Sequence, residues 1–194
     1  MAYPKVVALD CDYTIWHGHL DSTKWGKGPG ARLKLQDNVE FVDNQYLRDK
    51  SNHQNKIRVN MDVMSVVTDI LNHRDGAKLA IVSRNSSKAM CDRALYYIKT
   101  TNPANGEETS IIKLALYDEV VNESKVNHFK RIHSWSKSDY SDMLLIDDDP
   151  DNASVESELG VKFQLARDSN NKKGLTWDIY QRGIRAWQKS KGYA

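Results

Sequence analysis

Lys5-Val6-Val7-Ala8-Leu9-Asp10-Cys11-Asp12-Tyr13-Thr14 is an apolar run that stops at two carboxylates one residue apart, with a threonine two positions further on. Residues 6–9 show no polar alternation, the pattern of a strand buried on both faces of a parallel sheet. Ligands of open α/β sheets sit beyond the carboxyl ends of the strands, so this reading puts Asp10 and Asp12 where chemistry is done. The spacing suits phosphoryl transfer to an aspartate: one carboxylate attacks phosphorus while the next protonates the leaving oxygen. An anionic nucleophile and a phosphate dianion repel each other, and a bridging divalent cation offsets that repulsion. An isolated Asp-x-Asp is also what a solvated loop carries, so the reading needs partners elsewhere in the chain.

The partners follow the ends of further apolar runs. Lys78-Leu79-Ala80-Ile81-Val82 leads into Ser83-Arg84-Asn85-Ser86-Ser87, where a hydroxyl and free N–H groups at a strand-to-helix turn can cradle phosphate. Asn85, Ser86 and Ser87 also read as caps of the following helix, whereas Ser83 closes the strand. Asp142-Met143-Leu144-Leu145-Ile146-Asp147-Asp148-Asp149-Pro150 repeats the opening pattern and ends in three adjacent acids. Mutual repulsion makes such a cluster costly unless a cation or basic groups neutralise it, which points to a hard ion held by oxygen ligands. An acidic run can instead complement the dipole of the next helix, which suits Asp149 and Asp151 better than Asp147, too close to its strand. Lys125, in Asn122-Glu123-Ser124-Lys125-Val126-Asn127-His128-Phe129, supplies the positive charge a phosphate site requires. A lysine in the first turn of a helix is ordinarily solvated, and the macrodipole disfavours it there.

Taken in order, Asp10-x-Asp12-x-Thr14, Ser83, Lys125 and Asp147-Asp148 resemble the four motifs of the haloacid dehalogenase superfamily of aspartate-nucleophile phosphatases. The longer words Leu9-Asp10-Cys11-Asp12-Tyr13-Thr14-Ile15-Trp16, Val82-Ser83-Arg84, Ser124-Lys125-Val126-x-His128-Phe129 and Ile146-Asp147-Asp148 look like its magnesium-dependent phosphatase group, and Gly160-Val161, Ala166-Arg167-Asp168 and Gly174-Leu175 extend the match. The chain departs from that group at Asn85, where threonine is usual, at His17-Gly18-His19, and in a longer segment between Trp16 and Lys56. The resemblance implies Mg²⁺ as cofactor, Asp10 as nucleophile and Asp12 as the acid and base. Asp10, Asp12 (through its carbonyl) and Asp147 would ligate the metal, with Asp148 behind it. Ser83, Arg84 and Lys125 would bind the phosphoryl group, and Thr14 would order the loop and back the site. Asp12 would have to start protonated, so its pKa is expected to be raised. A signalling receiver shares the same ingredients, but its adjacent acids come first and its lysine last; a catalytically silent binding protein of the same fold is the other alternative.

The bounding facts agree with one phosphatase domain over residues 1–194. Lys and Arg number 28 against 26 acids, so nucleic acid is not the default partner; a phosphorylated small molecule or a phosphoprotein is. Two cysteines outside any Cys-x-x-Cys spacing indicate neither a disulfide scaffold nor zinc. With no membrane-length apolar run and no signal-peptide pattern, a monomer in the cytoplasm or nucleus is expected.

The alternation of strand and helix predicts an α/β, doubly wound, Rossmann-like parallel sheet with helices on both faces. A helical stripe runs through Met61, Met64, Val67, Ile70 and Leu71 with Asn60 as N-cap, and a terminal helix stripes Trp177, Tyr180, Ile184 and Trp187 into the core. Residues 17–56 read as a hairpin and loop insertion at the rim of the site, a minimal cap. Arg32-Leu33-Lys34-Leu35 and Val39-Glu40-Phe41-Val42 are its expected strands, Trp25-Gly26-Lys27-Gly28-Pro29-Gly30 a mobile overhanging loop, and His17 and His19 rim residues. The site should be open, able to admit phosphotyrosine proteins or sugar phosphates, with Arg84, Trp16 and Trp25 as candidates for touching the leaving group.

Overall fold

A computed structural model describes residues 2–73 and 76–193. The opening apolar run forms strand β1 (Val6–Leu9). An excursion follows, with a 3-10 turn at Leu35–Asn38 and strands β2 (Val39–Val42), β3 (Tyr46–Asp49) and β4 (Asn52–Arg58). Helix α1 (Asp62–Asn72) leads to β5 (Lys78–Ser83), α2 (Lys88–Tyr97), and a small hairpin of β6 (Lys99–Thr101) and β7 (Glu108–Ser110). The short α3 (Ile111–Leu114) precedes β8 (Tyr117–Val120), α4 (Lys125–Ser136), β9 (Met143–Asp147), α5 (Ser154–Leu159), β10 (Lys162–Leu165) and α6 (Trp177–Ser190).

Strands β10-β9-β1-β5-β8 form a parallel five-stranded sheet in that order. Alternate residues face opposite sides, as strand geometry requires. Val7, Leu9, Leu79, Ile81, Leu144 and Ile146 pack with α1, α2 and α6, while Val6, Ala8, Ala80, Val82, Met143 and Leu145 pack with α4 and α5. Both faces are therefore covered, which is why the strands read as continuous apolar runs and why the α/β expectation holds. The chain leaves β1 toward β5 and β8 on one side and later fills β9 and β10 on the other, so a topological switch lies between β1 and β9. Among the described residues no helix is long and apolar enough to cross a membrane.

The excursion differs from its expected form. No strand forms at 32–35: Leu33 is fully exposed, and Asn38 organises the segment by accepting from the Arg32 N–H and donating to the Arg32 and Lys34 carbonyls. The antiparallel partner of β2 is β3, reached through Asp43 and Asn44, which adopt the left-handed conformation that these residue types tolerate. With β4 they make a three-stranded meander. The glycine loop does not overhang the cleft: Trp25 is buried, the Gly26 N–H donates to Asp49 Oδ2 at 2.9 Å and the Gly28 N–H to Ser51 Oγ at 3.1 Å. Gly28 lies so close to the Ser51 carbonyl that a Cβ would stand 2.0 Å from its oxygen.

The two ends of the excursion are tied together. The His17 N–H donates to the Arg58 carbonyl, the Asn60 N–H donates to the Ile15 carbonyl, and Trp16 bridges Val59. Asn60 does not cap α1; its Nδ2 donates to the Thr14 carbonyl at 2.8 Å, holding the excursion's exit against its entrance. Trp177 is likewise not core: it opens α6 and is 41% exposed, while Tyr180, Ile184 and Trp187 are buried as expected.

His128 fastens α4 to the end of β8 by donating from Nε2 to the Val121 carbonyl at 3.0 Å. Burial and, after it, the Lys125 charge lower its pKa to about 4, so the folded protein holds it neutral. The unfolded chain binds this proton with an ordinary histidine pKa near ~6.5, so its contribution to stability is complete above that pH and is lost as pH falls toward the folded value. Urea unfolding of wild type should lose about 1 kcal/mol between pH 6.5 and 5.5 from this group, and His128→Gln should flatten that part of the profile.

Candidate active site

Strand register assembles the centre. β1 and β9 pair in parallel with Leu9 opposite Ile146, and the Asp10 N–H donates to the Ile146 carbonyl at 3.1 Å, so Asp10 and Asp147 leave the sheet side by side. β5 ends at Ser83 on the other flank of β1. From beyond β8, the first residue of α4 reaches in: Lys125 Nζ lies 2.6 Å from Asp10 Oδ1 and 2.9 Å from Asp147 Oδ2, and donates to the Val82 carbonyl. Ser124 caps that helix by accepting from the Asn127 N–H, which frees the lysine to point inward. The macrodipole's mild penalty is overridden by two carboxylates in a water-poor site. Burial lowers the Lys125 pKa, but the charges and hydrogen bonds of Asp10 and Asp147 more than reverse this and keep it an ammonium.

Asp10, Asp147 and Asp148, all buried, each present an oxygen within 4.8 Å of the others. Asp147 is fixed by the Asp149 N–H on Oδ1 and by Asn152 Nδ2 on Oδ2, and Asp148 pairs with Lys173 at 2.7 Å. Burial pushes the Asp10 carboxyl up, Lys125 opposes it, and Asp147 and Asp12 add to the rise. Asp148 is raised by burial first, and Lys173 only partly offsets this. Five carboxyl groups, counting Asp12 and Asp149, thus line the cleft with Lys125, Lys173 and Arg84. An all-oxygen set with surplus negative charge is what Mg²⁺ binds, so the residues present fit that ion.

Asp12 sits in a different environment. Its Oδ1 accepts from Trp16 Nε1 at 2.8 Å and the Leu20 N–H at 3.0 Å; its Oδ2 accepts from Asn85 Nδ2 at 2.8 Å and meets His19 Nδ1 at 2.6 Å. Burial raises the pKa of Asp12, but these four partners outweigh it and hold the carboxyl below its ordinary range, the reverse of the expected direction. The contact with Asp12 raises His19. Tyr13 adopts the left-handed backbone region beside Asp12, and Lys173 lies 4.6 Å over its ring.

A cleft of about 410 Å³ brings together Asp10, Asp12, Ser83, Arg84, Lys125, Asp147 and Asp148. Thr14 is not part of its wall: it is wholly buried, its hydroxyl has no partner among the described residues, and it orders the loop through its carbonyl, which accepts from Asn60 Nδ2 and the Leu175 N–H. Trp16 and Trp25 are buried, so neither faces the leaving group as proposed from sequence; Trp16 instead supports Asp12. His19, read from sequence only as a rim residue, contacts Asp12, and sequence reasoning gave no site role to the lining residues Asn85, Asn152 and Lys173. His19 and Asn85 stand where the chain departs from the magnesium-dependent phosphatase pattern, which was the available signal. Nothing in the local sequence marked Lys173.

This α/β scaffold gathers acids, a lysine and a hydroxyl at the carboxyl end of its parallel sheet, an arrangement suited to phosphoryl transfer. The Acid Phosphatase family matches residues 2–190, and the chain belongs to it, within the haloacid dehalogenase-like hydrolases. It is 30% identical over 161 residues, 83% of this chain and 84% of the other, to a haloacid dehalogenase-like hydrolase superfamily protein of Schizosaccharomyces pombe. It is 27% identical over 193 residues, 92% of this chain and 94% of the other, to a Saccharomyces cerevisiae protein provisionally named a magnesium-dependent phosphatase. The crystal structure of a haloacid dehalogenase family enzyme from Bacteroides thetaiotaomicron, complexed with magnesium and inorganic phosphate, shares the fold: TM-score 0.53 at 11% identity, covering 90% of this chain and 97% of that one.

Lys125→Met should destabilise the metal-free protein by about 3–5 kcal/mol in urea unfolding with chelator present, because two buried carboxylates lose their counter-ion. Adding Asp147→Asn should recover part of that loss, and strict additivity of the two substitutions would contradict the pairing.

Proposed function

We propose that the chain hydrolyses phosphomonoesters with Mg²⁺ through an aspartyl-phosphate intermediate. The observation that carries this is the convergence of Asp10, Asp147 and Lys125 at the sheet edge, with Asp12 two residues from Asp10 in a separate hydrogen-bonded environment. Asp10 Oδ attacks phosphorus, and the bond from phosphorus to the leaving oxygen breaks as Asp12 delivers a proton to that oxygen. Asp12 then takes a proton from water, which attacks phosphorus and releases Asp10. The four partners of Asp12 keep it ionised in the free site, so it acquires its proton only when phosphoryl charge enters the cleft.

Lys125 and Ser83 bind the phosphoryl oxygens and stabilise the charge that spreads over them in the transition state. Arg84, exposed at the cleft wall, meets the outer part of the substrate. Asp10, the Asp12 carbonyl and Asp147 would hold Mg²⁺, with Asp148 beside them; the ion, when bound, would offset the repulsion between Asp10 and the phosphate and polarise the phosphoryl group. The substrate class is a phosphorylated small molecule or a phosphoprotein, including phosphotyrosine proteins and sugar phosphates. An open cleft without a large cap supports admission of bulky groups.

Asp10→Asn should lower turnover of p-nitrophenyl phosphate by at least about a thousandfold, since no covalent route remains. Asp12→Asn should slow the first, phosphoryl-transfer step, read as the single-turnover burst of leaving group, strongly for alkyl phosphates and far less for p-nitrophenyl phosphate, whose leaving group needs no proton, while steady-state turnover falls on both because the water-activating step is shared. Equal losses of the burst rate on both substrates would contradict the acid role given to Asp12. Chelation should abolish activity, and Mg²⁺ should restore it.

A further inference from the structure

Two cavities adjoin the catalytic cleft, one on each flank. The first, about 370 Å³, meets it at Tyr13 and His19 and runs along the meander. Its two lysines are already paired, Lys24 with Asp21 and Lys56 with Asp43. The second, about 240 Å³, lies on the far side of Lys173, whose side chain lines both it and the cleft. Its charges are arranged otherwise.

Arg58, at the end of β4, and Lys172 line this second cavity, and the side chain of neither forms an ion pair or hydrogen bond with a described residue. The two acids of the same wall are occupied by main-chain donors: Asp62 Oδ2 accepts from the Trp177 N–H, and Asp168 Oδ1 from the Asn170 and Lys172 N–H groups. Lys173 is held by Asp148. His17 stands in the same wall, and burial, followed by the charge of Lys172 and to a lesser degree that of Arg58, lowers its pKa, which places all three groups in one electrostatic neighbourhood. The result is a guanidinium and an ammonium that form no ion pair with a described residue, in a wall that also carries a neutral imidazole and the Asp62 and Asp168 carboxylates, each with one oxygen turned to main-chain donors. A guanidinium fork matches the two oxygens of a carboxylate or phosphate.

We propose that this cavity is a second anion site, which binds a carboxylate or phosphate group carried on the leaving group of the substrate while the scissile phosphate occupies the cleft. The proposal rests on the phosphomonoesterase reading of the cleft and adds the substrate class: phosphomonoesters with a second oxyanion at the far end. Lys173 and Tyr13 form the partition over which such a substrate lies. The paired lysines of the opposite flank leave that side without an equivalent charge.

The test is a series of alkyl phosphates, two to eight carbons long, ending in a hydroxyl, a carboxylate or a second phosphate. Hydrolysis is measured with wild type and with Arg58→Gln/Lys172→Gln, and p-nitrophenyl phosphate reports on the cleft alone. At one chain length the charged ends should lower KM about fivefold to tenfold relative to the hydroxyl end. The double variant should erase that preference while leaving p-nitrophenyl phosphate kinetics unchanged, and added salt should weaken it. The better of the carboxylate and phosphate arms identifies the anion. Calorimetry with the Asp10→Asn protein reads the same preference without turnover. If p-nitrophenyl phosphate is not hydrolysed but the calorimetric preference persists and needs Arg58 and Lys172, the anion site stands and the phosphatase reading falls. Equal affinity for charged and neutral ends at every length, or a preference that survives the double variant, overturns the proposal.

Discussion

An ammonium clasped between two carboxylates away from water is the interaction on which the site depends. Lys125, Asp10 and Asp147 come from three separate segments, and none of the three charges is tolerable in that position without the others. Their pairing obliges the start of α4 to sit against the ends of β1 and β9. The cap at Ser124, the His128 bond to the end of β8 and the bonds from Asn152 and the Asp149 N–H to Asp147 all serve that alignment. Stability here is subordinated to placement, since apolar residues of similar volume would fill the space at lower desolvation cost.

Register turns that placement into chemistry. A shift of one residue between β1 and β9 would move Asp10 away from Asp147 and turn its side chain to the other face of the sheet. Asp10 and Asp12, although almost adjacent in sequence, are kept in opposite electrostatic conditions. Asp10 lies among acids and one lysine, whereas Asp12 is surrounded by neutral donors and His19. Two identical side chains thereby acquire different proton affinities from environment alone.

The legible part of the sequence was the part governed by local rules. Strands buried on both faces leave uninterrupted apolar runs, and the residues that end them must lie at one sheet edge, so Asp10, Ser83 and Asp147 could be read directly. Lys125 was readable because it sits against the helix dipole. The meander was misjudged because Leu33 and Leu35 imitate strand alternation, while the true turn residues, Asp43 and Asn44, lie further on. His19, Asn85 and Trp16 converge on Asp12 through the path of a loop, which no periodicity encodes. Trp16 and Trp25 read from sequence as candidates for touching the leaving group, because the excursion's fold back onto the core depends on contacts such as Gly26 with Asp49, far apart in sequence.

Main-chain bonds stitch the excursion shut at its base, from His17 to Arg58 and from Ile15 to Asn60. The free energy of closing such a loop varies only with the logarithm of its length, so its exposed stretch at residues 29–34 can be lengthened, shortened or exchanged at little thermodynamic penalty to the sheet. Innovation in what the protein accepts can accumulate there without disturbing the groups that break the bond.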